Sequence, residues 1–99
     1  MKNFVVERGS PAEFLARVHA EIANRDLGRI VQLEGDDSRL VVRFRWMGTT
    51  ELHYSLAPEG DGFRASLSDE RVSPLHTAFR QTFDERFDQI LAKVGAKTV

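Results

Sequence analysis

Two spacings of hydrophobic residues organise this chain, a helical spacing in two stretches and an alternating spacing between them. Residues 3–8 form a short β-branched run that predicts a strand ending at Gly9. From Phe14 to Ile22 the apolar residues recur every three or four positions, which predicts an amphipathic helix ending near residue 24. The chain is therefore expected to begin with a strand followed by a helix.

A Ser-Pro pair stands at the start of each predicted helix. The hydroxyl of Ser10 can accept from the amide of Glu13 while the Glu13 carboxylate reaches back, which makes a capping box. Ser73-Pro74 repeats the pair and opens the longest helical spacing, which Gly95 ends. We expect Ser73 to cap its helix as Ser10 does. The apolar ridge of this second helix consists of Leu75, Phe79, Phe83, Phe87, Leu91 and Val94.

Strand-like segments with short turns fill the region between the two helices. The first two, residues 29–35 and 39–47, are expected to pair as a hairpin with Leu33 opposite Leu40 and a two-residue Asp36-Asp37 loop. This register places apolar residues opposite apolar ones, and it also sets opposite charges across the pair.

The next hairpin is expected to turn at Met47-Gly48-Thr49, because an odd loop with a Gly keeps the apolar residues of both arms on one face. This register sets Arg45 opposite Glu51 and Arg43 opposite His53.

A breaker-rich turn at residues 57–62 leads into a last strand at 63–71. The complete order is β-α-β-β-β-β-α. It predicts an α+β fold in which residues 1–99 form one domain, with an antiparallel meander sheet of four to five strands and two helices packed on one face.

This order resembles the topology of small helix-grip proteins of the START and Bet v1 type. The likeness lies in residues 3–23, where a strand enters a Pro-started helix, and in residues 50–95, which end in an aromatic helix. The order is also similar to that of small bacterial polyhydroxyalkanoate-granule-associated proteins. The helix-grip resemblance implies a curved sheet around the C-terminal helix, with a cavity for an apolar ligand between them.

Composition and charge restrict the function classes. The 99 residues carry 14 basic and 15 acidic side chains, for a net charge of −1, so no overall positive field draws the chain to nucleic acid. No Cys is present, which excludes disulfides and thiolate chemistry. No apolar run is long enough to cross a membrane, and no signal peptide is evident. We expect a cytoplasmic protein of bacterial type.

Neither a catalytic nor a metal-binding motif is evident. His19, His53 and His76 do not have the spacing of metal ligands, and no serine lies in a nucleophile turn. We therefore expect no enzyme activity, no metal and no cofactor.

The sheet face opposite the core offers a candidate binding surface. Alternation places on it a mildly basic group of side chains, and the candidate partner-binding residues are Arg43, Arg45, His53 and Arg64. The expected function is a non-catalytic interaction or accessory module that binds a protein partner or a second copy of itself through this face. Nucleic-acid binding by the same arginines is a weaker alternative, because the aromatic residues alternate inward.

A second alternative is a small carrier of an apolar ligand, held in the groove between the C-terminal helix and the sheet. The residues expected to line that pocket are Trp46, Tyr54, Phe79, Phe83 and Phe87. The competing interpretation is that these rings fill the core completely, since a domain of this size needs most of its apolar side chains for stability.

Overall fold

The computed structural model describes residues 3–99, and its elements follow the predicted β-α-β-β-β-β-α order with an additional short strand at the end. The elements are β1 Phe4–Val6, α1 Pro11–Asn24, β2 Val31–Gly35, β3 Arg39–Arg45, β4 Thr49–Glu59, β5 Gly62–Arg71, a 3₁₀ helix Pro74–Phe79, α2 Arg80–Lys93 and β6 Ala96–Thr98. The α+β class and the predicted element order are confirmed.

The sheet has six antiparallel strands, so the expectation of four to five was too low. Its order is β2-β3-β4-β5-β1-β6, which places β1 beside the last strand of the meander. The strand that was not predicted, β6, pairs with β1, with Ala96 opposite Val6. Three residues after a helix carry too short a pattern to predict a strand, and the pairing depends on a distant segment.

Both hairpin registers were predicted wrongly by two residues. In the first hairpin Leu33 lies opposite Val42 rather than Leu40. In the second, Arg43 lies opposite Glu51 rather than His53. Because successive side chains of a strand point to opposite faces, a shift of two residues leaves every side chain on its expected face. The division into a core face and an open face therefore survives the error.

Turn chemistry explains these shifts. The carboxylate of Asp36 accepts from the backbone amides of Ser38 and Arg39 at 2.8 and 3.0 Å, which closes the first hairpin one residue later than expected. In the second hairpin Met47 and Gly48 have positive φ, at 52° and 132°, and strand β3 has already ended before Trp46. The three-residue loop is thus displaced by one position, to residues 46–48.

The hydrophobic core lies between the sheet and the two helices. Rings of β1 and α1 meet where Phe4 stacks on Phe14 with centroids 5.5 Å apart. At the other end of the sheet, Phe44 stacks on Phe83 of α2 at 5.3 Å. The fully buried side chains of largest volume are Tyr54, Phe4, Phe87, Leu40, Leu52, Ile90 and Leu91. With the core on this side, the other face of the sheet carries the polar residues.

The C-terminal segment is not the single helix that its apolar spacing predicted. Residues 74–79 form a 3₁₀ helix, and the α-helix begins only at Arg80. A 3₁₀ helix has three residues per turn, so an i, i+4 ridge does not stay on one side of it. Leu75 and Phe79 are consequently exposed, and His76 is buried in their place. The predicted stop at Gly95 is confirmed by its φ of +83° directly after the helix.

Candidate interaction surfaces

The open face of the sheet contains the residues predicted to bind a partner, and most of them are already paired. Arg43 contacts two carboxylates, with Nη1 3.0 Å from Glu34 Oε2 and Nε 2.8 Å from Glu51 Oε2. The hydrogen bond from Arg43, followed by one from His53, lowers the pKa of Glu51, and the same carboxylates raise the pKa of Arg43. The Arg43 charge is thus balanced within the sheet.

The other three predicted residues differ in whether a carboxylate of the protein already pairs with them. His53 Nε2 lies 3.3 Å from Glu51 Oε1, and Arg64 Nε lies 3.2 Å from Glu59 Oε1. Arg45 makes no ion pair with any residue from 3 to 99, and it is exposed at the end of β3. The four side chains share one face without converging on one site, and Arg45 is the one available to a partner.

A buried histidine joins the turn after β3 to the 3₁₀ helix. His76 is 1% exposed; its Nδ1 lies 2.6 Å from Thr50 Oγ1, and its Nε2 lies 2.5 Å from the Trp46 carbonyl oxygen. The amide of Ser73 donates to the same Thr50 hydroxyl oxygen at 3.0 Å. A neutral imidazole with its hydrogen on Nε2 satisfies every group, since Thr50 can then accept from Ser73 and donate to Nδ1.

Gly48 lets these two segments approach closely. A Cβ at this position would lie 2.5 Å from Ser73 Oγ, and the φ of +132° is one that other residues rarely adopt. The turn at residues 46–48 and the 3₁₀ helix are therefore held together by hydrogen bonds and by a contact that requires glycine.

Four large apolar side chains are exposed on these two joined segments. They are Trp46 (44% exposed), Met47 (71%), Leu75 (58%) and Phe79 (45%), and we call them the turn patch. The rings of Trp46 and Phe79 meet edge to face with centroids 5.3 Å apart. Among residues 3–99 the other large hydrophobic side chain with comparable exposure is Val99. Concentration of such side chains in one place is typical of an interaction surface.

Sequence reasoning placed Trp46 and Phe79 in the interior, and the structure places them at the surface. The alternation that buries Phe44 was extended one step too far, because β3 ends at Arg45. The positive φ of Met47 and Gly48 then turns the chain away from the core. The Met47-Gly48 pair did mark a turn in the sequence, but the loop was placed one residue too late, which left Trp46 in the strand.

An apolar cavity of about 250 Å³ lies between α2 and the β2 side of the sheet. Its lining residues are Leu27, Ile30, Val31, Phe44, Thr82, Phe83, Arg86, Phe87 and Ile90. Two of the five residues predicted to line a pocket, Phe83 and Phe87, belong to it. Tyr54 is instead buried elsewhere, with its ring 5.2 Å from that of Phe4, and burial raises the pKa of its hydroxyl.

Metal sites and membrane-spanning helices were also considered for the part of the chain that the structure describes. No group of three or more His, Asp or Glu side chains among residues 3–99 is arranged to hold a metal ion. Within the same residues, neither helix has the length and apolar character needed to cross a bilayer. Comparison with protein-family models, with curated proteins and with solved structures finds no match to this chain.

Proposed function

We propose that this protein is a small non-catalytic interaction module that binds a protein partner through the turn patch and the adjoining open face of its sheet. The observation that carries the proposal is the turn patch itself, with Trp46, Met47, Leu75 and Phe79 exposed on two segments that His76 holds together. Leaving four large apolar side chains in water is unfavourable unless a partner covers them.

The contacts that hold the turn patch in place favour binding because they reduce the conformational entropy that is lost on association. His76 holds the Trp46 backbone through its carbonyl oxygen, and the Trp46 side chain is restrained by the edge-to-face contact of its ring with Phe79. A side chain that is already ordered loses little freedom when a partner arrives. Tryptophan is also enriched among the residues that dominate interface energies. Trp46 is accordingly the proposed centre of the interface.

The open sheet face has a different role in this proposal. Arg45 adjoins Trp46 in the chain and has no ion-pair partner among residues 3–99, so it can meet a carboxylate of the partner. Arg43, His53 and Arg64 have carboxylate neighbours of their own and would form a polar rim. Charges at a rim orient a partner and increase its association rate more than they increase affinity.

The experiment compares partner capture by variants of the turn patch and of the sheet face. The native host expresses tagged wild-type protein or one of three tagged variants, Trp46→Ser, Phe79→Ser and Arg64→Ser. Each is cross-linked to its neighbours in the cell, and the captured proteins are quantified by mass spectrometry. Val99→Ser is the matched control, because Val99 is exposed and apolar but lies outside the patch. Loss of a hot-spot contact worth about 2 kcal/mol lowers affinity more than about tenfold.

We expect Trp46→Ser and Phe79→Ser to lose the captured partner. Val99→Ser should keep it, and Arg64→Ser should change the yield of captured partner little. Capture by Trp46→Ser at the wild-type level contradicts the proposal. Sedimentation of the same variants identifies a second copy of the chain as the partner if wild type dimerises and Trp46→Ser does not.

The apolar cavity beside α2 favours a second candidate function, that of a small apolar-ligand carrier. Its lining is mostly hydrophobic, and its volume of about 250 Å³ lies just below the roughly 300–1,000 Å³ of common ligand pockets. This candidate predicts a small molecule that native mass spectrometry detects on the folded protein and that unfolding releases. Freshly purified protein with the mass of the bare chain contradicts it.

A further inference from the structure

A β-bulge interrupts the open face of the sheet between β4 and β5. His53 lies opposite Asp69, but the next residue along β4, Tyr54, lies opposite Leu67, so Ser68 is an extra residue on β5. The Ser68 hydroxyl donates to the carbonyl of His53 at 2.9 Å. A bulge bends its strand and redirects nearby side chains, which is why bulges often occur beside binding sites.

The bulge borders a polar hollow of about 280 Å³, which we call the bulge hollow. Its lining residues are Arg39, Leu40, Val41, His53, Tyr54, Ser55, Ser68, Asp69 and Arg71. The two guanidinium groups outnumber the single carboxylate of Asp69, and Ser55 supplies a further hydroxyl. This hollow is distinct from the apolar cavity beside α2, because the two share no lining residue.

The two arginines of the bulge hollow are available to an incoming anion. Arg39 is exposed and makes no ion pair among residues 3–99, and its charge interacts only weakly with the nearby Asp36 carboxylate. Arg71 Nε lies 3.4 Å from Asp69 Oδ2, and these two side chains are 75% and 54% exposed. An exposed pair at that distance is weak, since water screens it and both side chains remain mobile. A better-placed carboxylate can therefore compete for Arg71 and bind Arg39 as well.

We propose that the bulge hollow binds a carboxylate side chain from an acidic segment of the protein partner. The planar fork of an arginine matches the two oxygens of a carboxylate. A phosphate dianion suits the hollow less well, because Asp69 repels two negative charges more strongly than one. The inference rests on the proposed function and specifies the chemistry of the partner.

The position of the hollow also constrains the partner's geometry. Val41 in the hollow precedes Arg45 by four residues of β3, which is about 13 Å at a rise of about 3.3 Å per residue. A segment crossing the open face along β3 could thus place an apolar side chain on the turn patch and a carboxylate in the hollow.

The test uses an acetylated and amidated hexaglutamate peptide as the probe. Its binding to the full chain is followed by NMR titration at constant ionic strength, beside a second titration with inorganic phosphate. Arg39→Gln is compared with Arg64→Gln, which removes the same charge from the same sheet face but lies outside the hollow. Spectra of the free variants verify that each remains folded.

We expect the peptide to shift the amide signals of Ser55, Ser68 and the neighbouring lining residues. Arg39→Gln should lower the affinity for the peptide about tenfold, as loss of a charged hydrogen bond does, while Arg64→Gln should change that affinity less than about twofold. Equal weakening in both variants overturns the inference, as does phosphate binding tighter than the peptide. Trp46→Ser should leave peptide affinity unchanged. This separates the inference from the proposed function, which is tested by partner capture.

Discussion

The same Ser-Pro pair begins two segments of this protein, and the two segments fold differently. At residue 10 the serine hydroxyl accepts from the Glu13 amide at 3.2 Å, and a regular α-helix of 14 residues follows. At residue 73 the serine side chain makes no capping hydrogen bond, and the chain forms a 3₁₀ helix before α2 begins. The expectation that Ser73 caps its helix as Ser10 does was wrong.

Contacts from distant parts of the chain account for the difference. The first start is built locally, from residues within one turn of each other. The second is held by Thr50 and Trp46, which lie more than 20 residues earlier in the chain and make hydrogen bonds to Ser73 and His76. Tertiary hydrogen bonds override the local preference here, and they turn Phe79 outward as a consequence. Leu75 and Phe79 thus belong to the turn patch because the second segment does not begin as an α-helix.

Removing His76 should separate the two segments most strongly. In His76→Ala the Thr50 hydroxyl and the Trp46 carbonyl lose their buried partner, and the missing ring leaves a cavity beside Phe83. We expect the free energy of unfolding to fall by about 3 to 5 kcal/mol, measured by urea denaturation. The control, His19→Ala, removes one partly buried contact to the Leu33 carbonyl and should cost about 1 kcal/mol. Equal losses in both variants would show that His76 has no special role.

Substitution of Gly48 should give the next largest effect. In Gly48→Ala the new methyl group would lie 2.5 Å from Ser73 Oγ, at a backbone φ of +132°. We expect a loss of about 1 to 3 kcal/mol, which thermal unfolding would detect as a lower Tm. The control, Gly28→Ala, has no atom within 4 Å of the new methyl group and should change stability little. A stable Gly48→Ala protein would mean that the turn and the 3₁₀ helix need no close contact.

The smallest effects should come from the two serines themselves, and their contrast is the sharpest local comparison. Ser10→Ala removes a capping acceptor and should cost about 1 kcal/mol. Ser73→Ala removes a hydroxyl that makes no capping hydrogen bond and should cost less than about 0.5 kcal/mol. Urea denaturation of the two variants side by side measures the difference. Equal costs would indicate that Ser73 caps its helix after all.

Hydrophobic spacing was sufficient to predict the class and the element order, because each element has a buried face of its own. It also assigned the faces of the sheet correctly, even where the register was wrong by two residues. Two features depended on contacts between distant residues and were missed: β6, which needs β1 as its partner, and the 3₁₀ helix, which needs Thr50. A third missed feature, the outward position of Trp46, follows from the end of β3 at Arg45 and from the positive φ of Met47 and Gly48. The turn patch combines the second and third of these features, so hydrophobic spacing, which assigned Trp46, Leu75 and Phe79 to the core, could not predict it.

Fluorescence anisotropy of the single tryptophan tests the central claim, that His76 holds the turn patch as a fixed exposed surface. Trp46 is the sole tryptophan of the chain, so its time-resolved anisotropy reports on the patch without labelling. The measurement compares wild type with His76→Gln at a temperature where circular dichroism shows both to be folded. We expect wild-type Trp46 to move only with the tumbling of the whole protein, and the variant to gain a fast local component. Fast local motion of large amplitude in the wild type, or identical decays in the two proteins, would contradict the claim.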